Sequence, residues 1–329
     1  MISKDENIDA VITWVDGEDP VHRKKRLSAL KDSDNGEINT LPSGADTTRF
    51  SDNDEIRYCI KSIIKFASWI RNIYIITDDQ RPDFLTDEYM ERNNIYIVDH
   101  KEIFTGYEWA LPTFNTRTIV TAMWRIPGLA PRFINFDDDF VLTRKVEVED
   151  FFVDGKTVLQ GSWHKIKKYG PLRLKWNKFL GRLTKKLFGI TRSMHTLLQV
   201  KSAQVAGFSD QYFYVPHVPH PIQKDTLASF FEENPEIFEN NIKYPFRSTD
   251  QFSAIILANH LDIKYDKAIL RKKSEYLMVH GEMDPSFLLD LKLKKIRDNK
   301  VKFICIQSME GFKPDQRTKV YKTLDKILG

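Results

Sequence analysis

Cys59 and Cys305 are the only two thiols in this 329-residue chain. Two are too few for a disulfide framework, and their spacing matches no metal motif. Both are expected to be small buried residues in a reducing compartment. Long apolar runs are also missing. None approaches the roughly 18 residues that a membrane-spanning helix requires. Residues 1–10 are polar and acidic, unlike the apolar core of a secretory signal. These absences lead to the expectation of a cytoplasmic protein. No repeat or low-complexity tract is evident. One further scarcity is local: residues 155–209 contain no Asp or Glu but twelve Lys or Arg, so removing +12 from the net +4 leaves −8 for the rest. Across 164–192, Leu, Trp and Phe interleave with these cations. That pattern suits contact with an anionic membrane surface, attraction of a polyanionic substrate or a solvated lid helix. It carries no fold signature of a nucleic-acid reader, so nucleic acid is not an expected partner.

Hydrophobic residues make up 41% of the chain, enough for a sizeable core. Residues 8–15, 73–78 and 95–100 read as strands rich in β-branched residues, and each runs into acid near its end. Residues 54–64 read as a helix, with Ile56, Ile60, Ile63 and Ile64 on its core face and Asp52 or Asn53 as its cap. Helices are also expected from Lys224 to Phe231, from Phe252 to Asn259 and from Arg317 to Leu328, with a late strand at Lys302 to Ile306. Strands alternating with helices in this way imply an α/β protein with a mostly parallel sheet.

The chain is organised around residues 132–142, RFINFDDDFVL. A short apolar strand runs into Asp137, Asp138 and Asp139 and then turns apolar again. Carboxylates beside buried strands need a cationic partner. Hard ions such as Mg²⁺ and Mn²⁺ take oxygen ligands, and ligands of open α/β sheets lie outside the carboxyl ends of the strands. The competing reading is an acidic surface turn.

Other candidates flank this centre. Asp16 and Gly17 end the first strand, where a carboxylate and a permissive backbone suit nucleotide contact or form an ordinary turn. Arg57, off the apolar stripe of its helix, can pair with Asp54 or grip a phosphate. Thr113, Asn115 and Thr116 open another expected helix, either as acceptor contacts or as caps. In Val215-Pro-His-Val-Pro-His-Pro-Ile222, three prolines hold His217 and His220 in an extended segment. Imidazoles fixed in this way suit a general base or a phosphate ligand. Arg247 lies in Phe246-Arg-Ser-Thr-Asp-Gln251, which opens a further helix.

Taken together, these segments resemble the Stealth proteins, which include bacterial capsular polysaccharide phosphotransferases and the catalytic subunit of the lysosomal-enzyme N-acetylglucosamine-1-phosphotransferase. IDAVITWVDGEDP at residues 8–20 is similar to that family's first block. Residues 49–142, from RFSDNDEIRYCIKSI to FINFDDDFVL, are similar to its second. Residues 216–251, with PHVPH and RSTDQ, are similar to its third, and KFICI at 302–306 to the start of its fourth. The resemblance implies one catalytic domain over 1–329, with a GT-A-like, mostly parallel sheet flanked by helices. The core would cover 8–160 and 205–310, with a basic helical insertion at about 162–200. It also implies a nucleotide-sugar donor, a saccharide or lipid-linked saccharide acceptor, Mg²⁺ or Mn²⁺, and sugar-1-phosphate transfer that releases UMP or a related nucleotide. The setting would be the inner face of a bacterial plasma membrane, with peripheral contact through 164–192.

By position, the resemblance assigns Asp16 and Gly17 to the nucleotide and Asn53, Asp54 and Arg57 to the donor. Asp138 and Asp139 go to the metal, His217 is the base with His220 as runner-up, and Arg247 goes to phosphate charge. Two departures stand out. Asp137 replaces the family's Asn, adding a candidate third ligand. Gln307-Ser308 replaces an Asn-Asp pair, with Glu310 as the nearby acid. The alternatives are a glycosyltransferase that releases a nucleoside diphosphate and a non-catalytic membrane-surface scaffold.

Overall fold

The computed structural model describes residues 7–34, 54–166, 195–272 and 275–329. Its main sheet contains β1 (Ile8–Thr13), β2 (Ile73–Thr77), β3 (Ile95–Asp99), β4 (Arg132–Asp137) and β10 (His220–Gln223), in the order β10-β4-β1-β2-β3. The first four are parallel, and β10 joins the edge antiparallel to β4. The expected mostly parallel sheet flanked by helices is therefore present. In register, Thr13 faces Asp137 and Thr77 faces Asp99, so the strand-terminal acids gather along one end of the sheet.

Every residue of β1 and β2 is buried, as strands covered on both faces must be. One face packs on helices Thr116–Ala122, Lys224–Glu233, Pro235–Ile242 and Ala254–Lys264 through Phe133, Leu227, Phe238 and Leu257. The other packs on helix Glu55–Phe66, whose Ile56, Ile60 and Ile63 form the expected stripe, while Ile64 is only partly buried. At the base of the sheet, buried Asp9 accepts two hydrogen bonds from Arg71, at 2.9 and 2.6 Å, and one from the Ala130 amide at 2.7 Å.

A second sheet has the order β12 (Tyr276–His280), β13 (Phe303–Gln307), β5 (Phe140–Leu142). Phe303 and Cys305 of β13 face the core under helix Glu55–Phe66. Ile304 and Ile306 face another core, built with helices Ser286–Arg297 and Pro314–Leu328.

β6 (Phe152–Val153), β7 (Lys156–Gln160) and β11 (Ala268–Arg271) make a third sheet, and β8 (Ser162–Lys165) pairs antiparallel with β9 (Gln211–Tyr214). The basic insertion therefore does not begin as a helix. Residues 162–165 form an exposed strand, because β9 offers a backbone partner that sequence reading does not locate. Residues 167–194 lie outside the described residues, and with them most of the expected membrane-contacting segment. Among the described residues, no helix is long and apolar enough to cross a membrane.

Candidate active site

The site is built from chain that leaves the sheet at its carboxyl end. After β1, the Glu18 amide donates to Asp16 Oδ1 at 2.9 Å, which forms a tight turn. Gln80, just past β2, clasps the Asp16 backbone: the Asp16 amide donates to Gln80 Oε1 at 3.1 Å, and Gln80 Nε2 donates to the Asp16 carbonyl at 2.8 Å. This clasp fixes the loop, leaves the Asp16 carboxylate partly accessible and buries Gly17. Gln80 gave no signal in the sequence, because its partner lies 64 residues away.

Helix Glu55–Phe66 starts beside β4. Its N-cap is Asp54, in the left-handed region at φ 68°, and the Asp54 side chain makes no cap hydrogen bond. Asp54 instead pairs with Arg57, Oδ2 to Nε 2.9 Å, and the Arg57 guanidinium lies 4.9 Å from the centre of the Phe84 ring. Both partners are substantially exposed, so the pair contributes only about 0.2–1 kcal/mol. Asn53, and with it the expected Asp52 or Asn53 cap, lies outside the described residues.

β4 ends at Asp137, and Asp138 and Asp139 make the turn into β5. The second sheet holds that turn, because the Ile306 amide donates to the Asp139 carbonyl at 2.9 Å. Cys305 Sγ lies 3.2 Å from Asp139 Oδ2. Asp139 Oδ1 is sealed from solvent with no hydrogen-bond partner. Burial pushes the Asp139 carboxyl up to about 6; His217 opposes that rise, and Asp137 adds to it. Burial and the three aspartates also push the Cys59 and Cys305 thiols up.

His217 arrives on the turn between β9 and β10. Its Nε2 lies 3.3 Å from Asp137 Oδ2, and its ring stands edge-on to Phe140 at 4.7 Å. Phe140 follows the aspartates directly, so one turn presents both the acids and the wall that orients the imidazole. His220, by contrast, is a buried residue of β10, paired with Asn135, with its Nδ1 3.5 Å from Asn259 Nδ2.

Arg247 comes from the loop before helix Ala254–Lys264. Its Nη2 donates to Thr116 Oγ1 at 3.2 Å. The neighbouring Phe246 stacks on Phe114 at 5.5 Å, and Phe114 meets His22 edge-on at 5.2 Å. Thr113 is buried. Asn115 is fully buried: its Oδ1 caps the helix through the Arg117 amide, and its Nδ2 donates to the Tyr244 carbonyl and to Gln251. The Asn115 side chain thus ties the Arg247 loop to helix Thr116–Ala122.

A buried carboxylate oxygen without a partner, beside two more carboxylates and an imidazole, fits a bound cation. Asp139, His217 and Cys305 present ligand atoms all within 4.8 Å of one another. The sequence pointed to the first two but not to Cys305, an apolar-looking residue in mid-strand 166 positions from Asp139. Only the antiparallel pairing of Cys305 with Phe140 brings it there.

Acids gathered at the carboxyl ends of parallel strands stand where open α/β sheets bind their ligands, which makes this an α/β protein with its candidate site at that end of the sheet. Comparison with known proteins supplies the family. Residues 6–34 match Stealth protein CR1, conserved region 1, and residues 49–159 match Stealth protein CR2, conserved region 2. The chain belongs to the Stealth family. It is 28% identical to the receptor polysaccharide phosphotransferase WefC of Streptococcus gordonii, over 98% of this chain and 97% of that one. An exopolysaccharide phosphotransferase of Streptomyces coelicolor is 30% identical over 77% of this chain, which spans 25% of that relative's length. A capsular polysaccharide phosphotransferase of Actinobacillus suis is 36% identical over 45% of this chain and 38% of its own. Among solved structures, the galactosyltransferase LgtC with donor and acceptor sugar analogs matches at TM-score 0.41 and 10% identity, over 98% of this chain and 95% of that one. Mouse xyloside xylosyltransferase 1 matches at 0.39 and 10% identity, over 91% and 97%.

Proposed function

We propose that the protein transfers a sugar-1-phosphate from a nucleotide-sugar, a UDP-linked hexose or N-acetylhexosamine, to a hydroxyl of a saccharide or lipid-linked saccharide. The product is a phosphodiester of a bacterial capsular or cell-surface polysaccharide. The observation that carries this reading is the pairing of His217 with Asp137 beside two further strand-terminal aspartates, in a chain whose relatives are named polysaccharide phosphotransferases.

The acceptor oxygen attacks the sugar-side phosphorus. The bond from that phosphorus to the bridging oxygen breaks, and a nucleoside monophosphate leaves. The C1–O bond of the sugar stays intact, so its anomeric configuration is kept. His217 takes the proton of the acceptor hydroxyl, and Asp137 orients the imidazole and stabilises it once charged. His220 is the second candidate for that proton. Arg247 and Arg57 neutralise phosphate charge, since phosphoryl transfer rests on positioning and electrostatics. Asp16 and Gly17 contact the nucleotide and Asn53 and Asp54 the rest of the donor, while Thr113 and Asn115, both buried, hold the acceptor side in place from behind rather than touching the acceptor. Asp137, Asp138 and Asp139 would hold Mg²⁺ or Mn²⁺, which would offset the negative charge of the diphosphate. We place the reaction on the cytoplasmic side of the bacterial membrane, with residues 164–192 as the basic contact.

The test is to incubate the protein with Mg²⁺, a panel of UDP-sugars and a capsule oligosaccharide, and to identify the released nucleotide. UMP together with a phosphodiester product is the expected result. UDP would mean that the C1–O bond breaks, making the protein a glycosyltransferase and overturning this reading.

A further inference from the structure

The acid cluster is not an all-oxygen site. Asp139, His217 and Cys305 offer one carboxylate, one imidazole and one thiol, all within 4.8 Å of one another. Cys305 Sγ and Asp139 Oδ2 already stand 3.2 Å apart. Tetrahedral Zn²⁺, with bonds of about 2.0–2.3 Å to O, N and S, sets its ligand atoms roughly 3.5 Å from each other. The two fixed donors therefore need almost no movement, and His217 must close from within 4.8 Å to roughly 3.5 Å. Its position allows that, because it sits on a partly exposed turn rather than inside a strand. Cys305 is held in β13 between β12 and β5, so its thiol points at Asp139 whatever occupies the site. Asp139 Oδ1, buried without a partner, is the second lone-pair donor a cation would satisfy.

Thiol and imidazole donors favour Zn²⁺ and Co²⁺, whereas Mg²⁺ prefers oxygen and keeps its water. We propose that Asp139, His217 and Cys305 form a binding site for a thiophilic divalent ion, Zn²⁺ above all, distinct in donor chemistry from the oxygen site expected for Mg²⁺. Three protein donors leave a fourth position for water, and coordination releases the Cys305 proton to solvent. Occupancy takes up the imidazole of His217 and the carboxylate of Asp139 together. On the phosphotransferase reading above, the bound ion switches transfer off, because the base then has no free lone pair. Zn²⁺ is thus a reversible inhibitor that competes with the Mg²⁺-loaded state.

Binding is read without any catalytic assay. Metal-free protein is titrated with Co²⁺, and the near-ultraviolet thiolate-to-cobalt charge-transfer band is followed, with Zn²⁺ added to displace it. The expected result is a band at one ion per chain in wild type and in Cys59→Ser, the other buried thiol. The band should disappear in Cys305→Ser, and Zn²⁺ affinity should fall on the order of 10–100-fold or more. His217→Ala, on an accessible turn, keeps the test open if Cys305→Ser fails to fold; it should retain the thiolate band with weakened affinity. Absence of the band in wild type, or its survival in Cys305→Ser, overturns the proposal. The phosphotransferase reading fails separately: a protein that binds cobalt through Cys305 yet releases no UMP with Mg²⁺ supports this site and removes that function.

Discussion

Asp137, Asp138 and Asp139 are adjacent in sequence, yet their surroundings differ. Asp137 meets an imidazole, while the half-buried Asp139 meets a thiol. His217→Ala should lower transfer on the order of 10²–10⁴-fold while thermal unfolding stays close to wild type. An unchanged rate would remove His217 as the base. Another buried acid lies away from the site. Asp262, 1% exposed, accepts hydrogen bonds from Thr157 Oγ1 at 2.9 Å and Thr226 Oγ1 at 2.7 Å. Burial pushes its carboxyl up to about 6, against those hydroxyls and Lys267. Between its unfolded value and about 6, the folded state therefore holds a proton that the unfolded state has released. Stability falls as pH rises through that window, by at most about 3 kcal/mol, and stays level above it. Asp262→Asn should remove this slope, as measured by denaturant midpoints at about pH 4 and about pH 7. Comparison with wild type cancels groups such as His100, which burial holds down at about 4 with the opposite slope.

At the scale of elements, the ends of β12 and β13 depend on close backbone contact. A Cβ placed on Gly281 would lie 1.9 Å from the Ser308 carbonyl oxygen. Ser308 itself is left-handed at φ 56°. Gly281→Ala should cost about 1–3 kcal/mol, because the clash is backbone against backbone and no rotamer relieves it. A variant as stable as wild type would show that the two turns can separate freely. Ser308 belongs to the pair that departs from the family's Asn-Asp, and the turn is built without an acid at either position. Glu310 falls in the next short helix, Met309–Gly311.

For the whole molecule, the strands couple the cores. β13 places Phe303 and Cys305 in one core and Ile304 and Ile306 in the next, and β5 divides Phe140 and Leu142 from Val141 in the same way. The main sheet joins that first core to the helical layer on its other face. Loss of one layer exposes apolar surface on its neighbour. Thermal unfolding should therefore be a single transition, with far- and near-ultraviolet circular dichroism coincident. Two separated transitions would mean that the β12-β13-β5 sheet melts as its own domain.

Local pattern was enough to locate most of the main sheet. The β-branched runs of β1, β2 and β3, the apolar run into the aspartates and the isoleucine stripe of helix Glu55–Phe66 were all legible, because each is a periodicity confined to a few residues. Helix Ala254–Lys264 begins two residues later than expected and runs five further, since Ser253 caps it through the Ile256 amide. Candidate acids, imidazoles and guanidinium groups could be named from residue type, and the family from the order of its blocks. Non-local pairing decided the rest. β10 had read only as a proline-fixed extended segment, and its pairing with β4 buries His220 while the turn before it delivers His217 to Asp137. The clasp of Gln80 on Asp16 and the approach of Cys305 to Asp139 join residues 64 and 166 positions apart. Such contacts leave no mark on local periodicity, because they arise only when distant strands share a sheet edge.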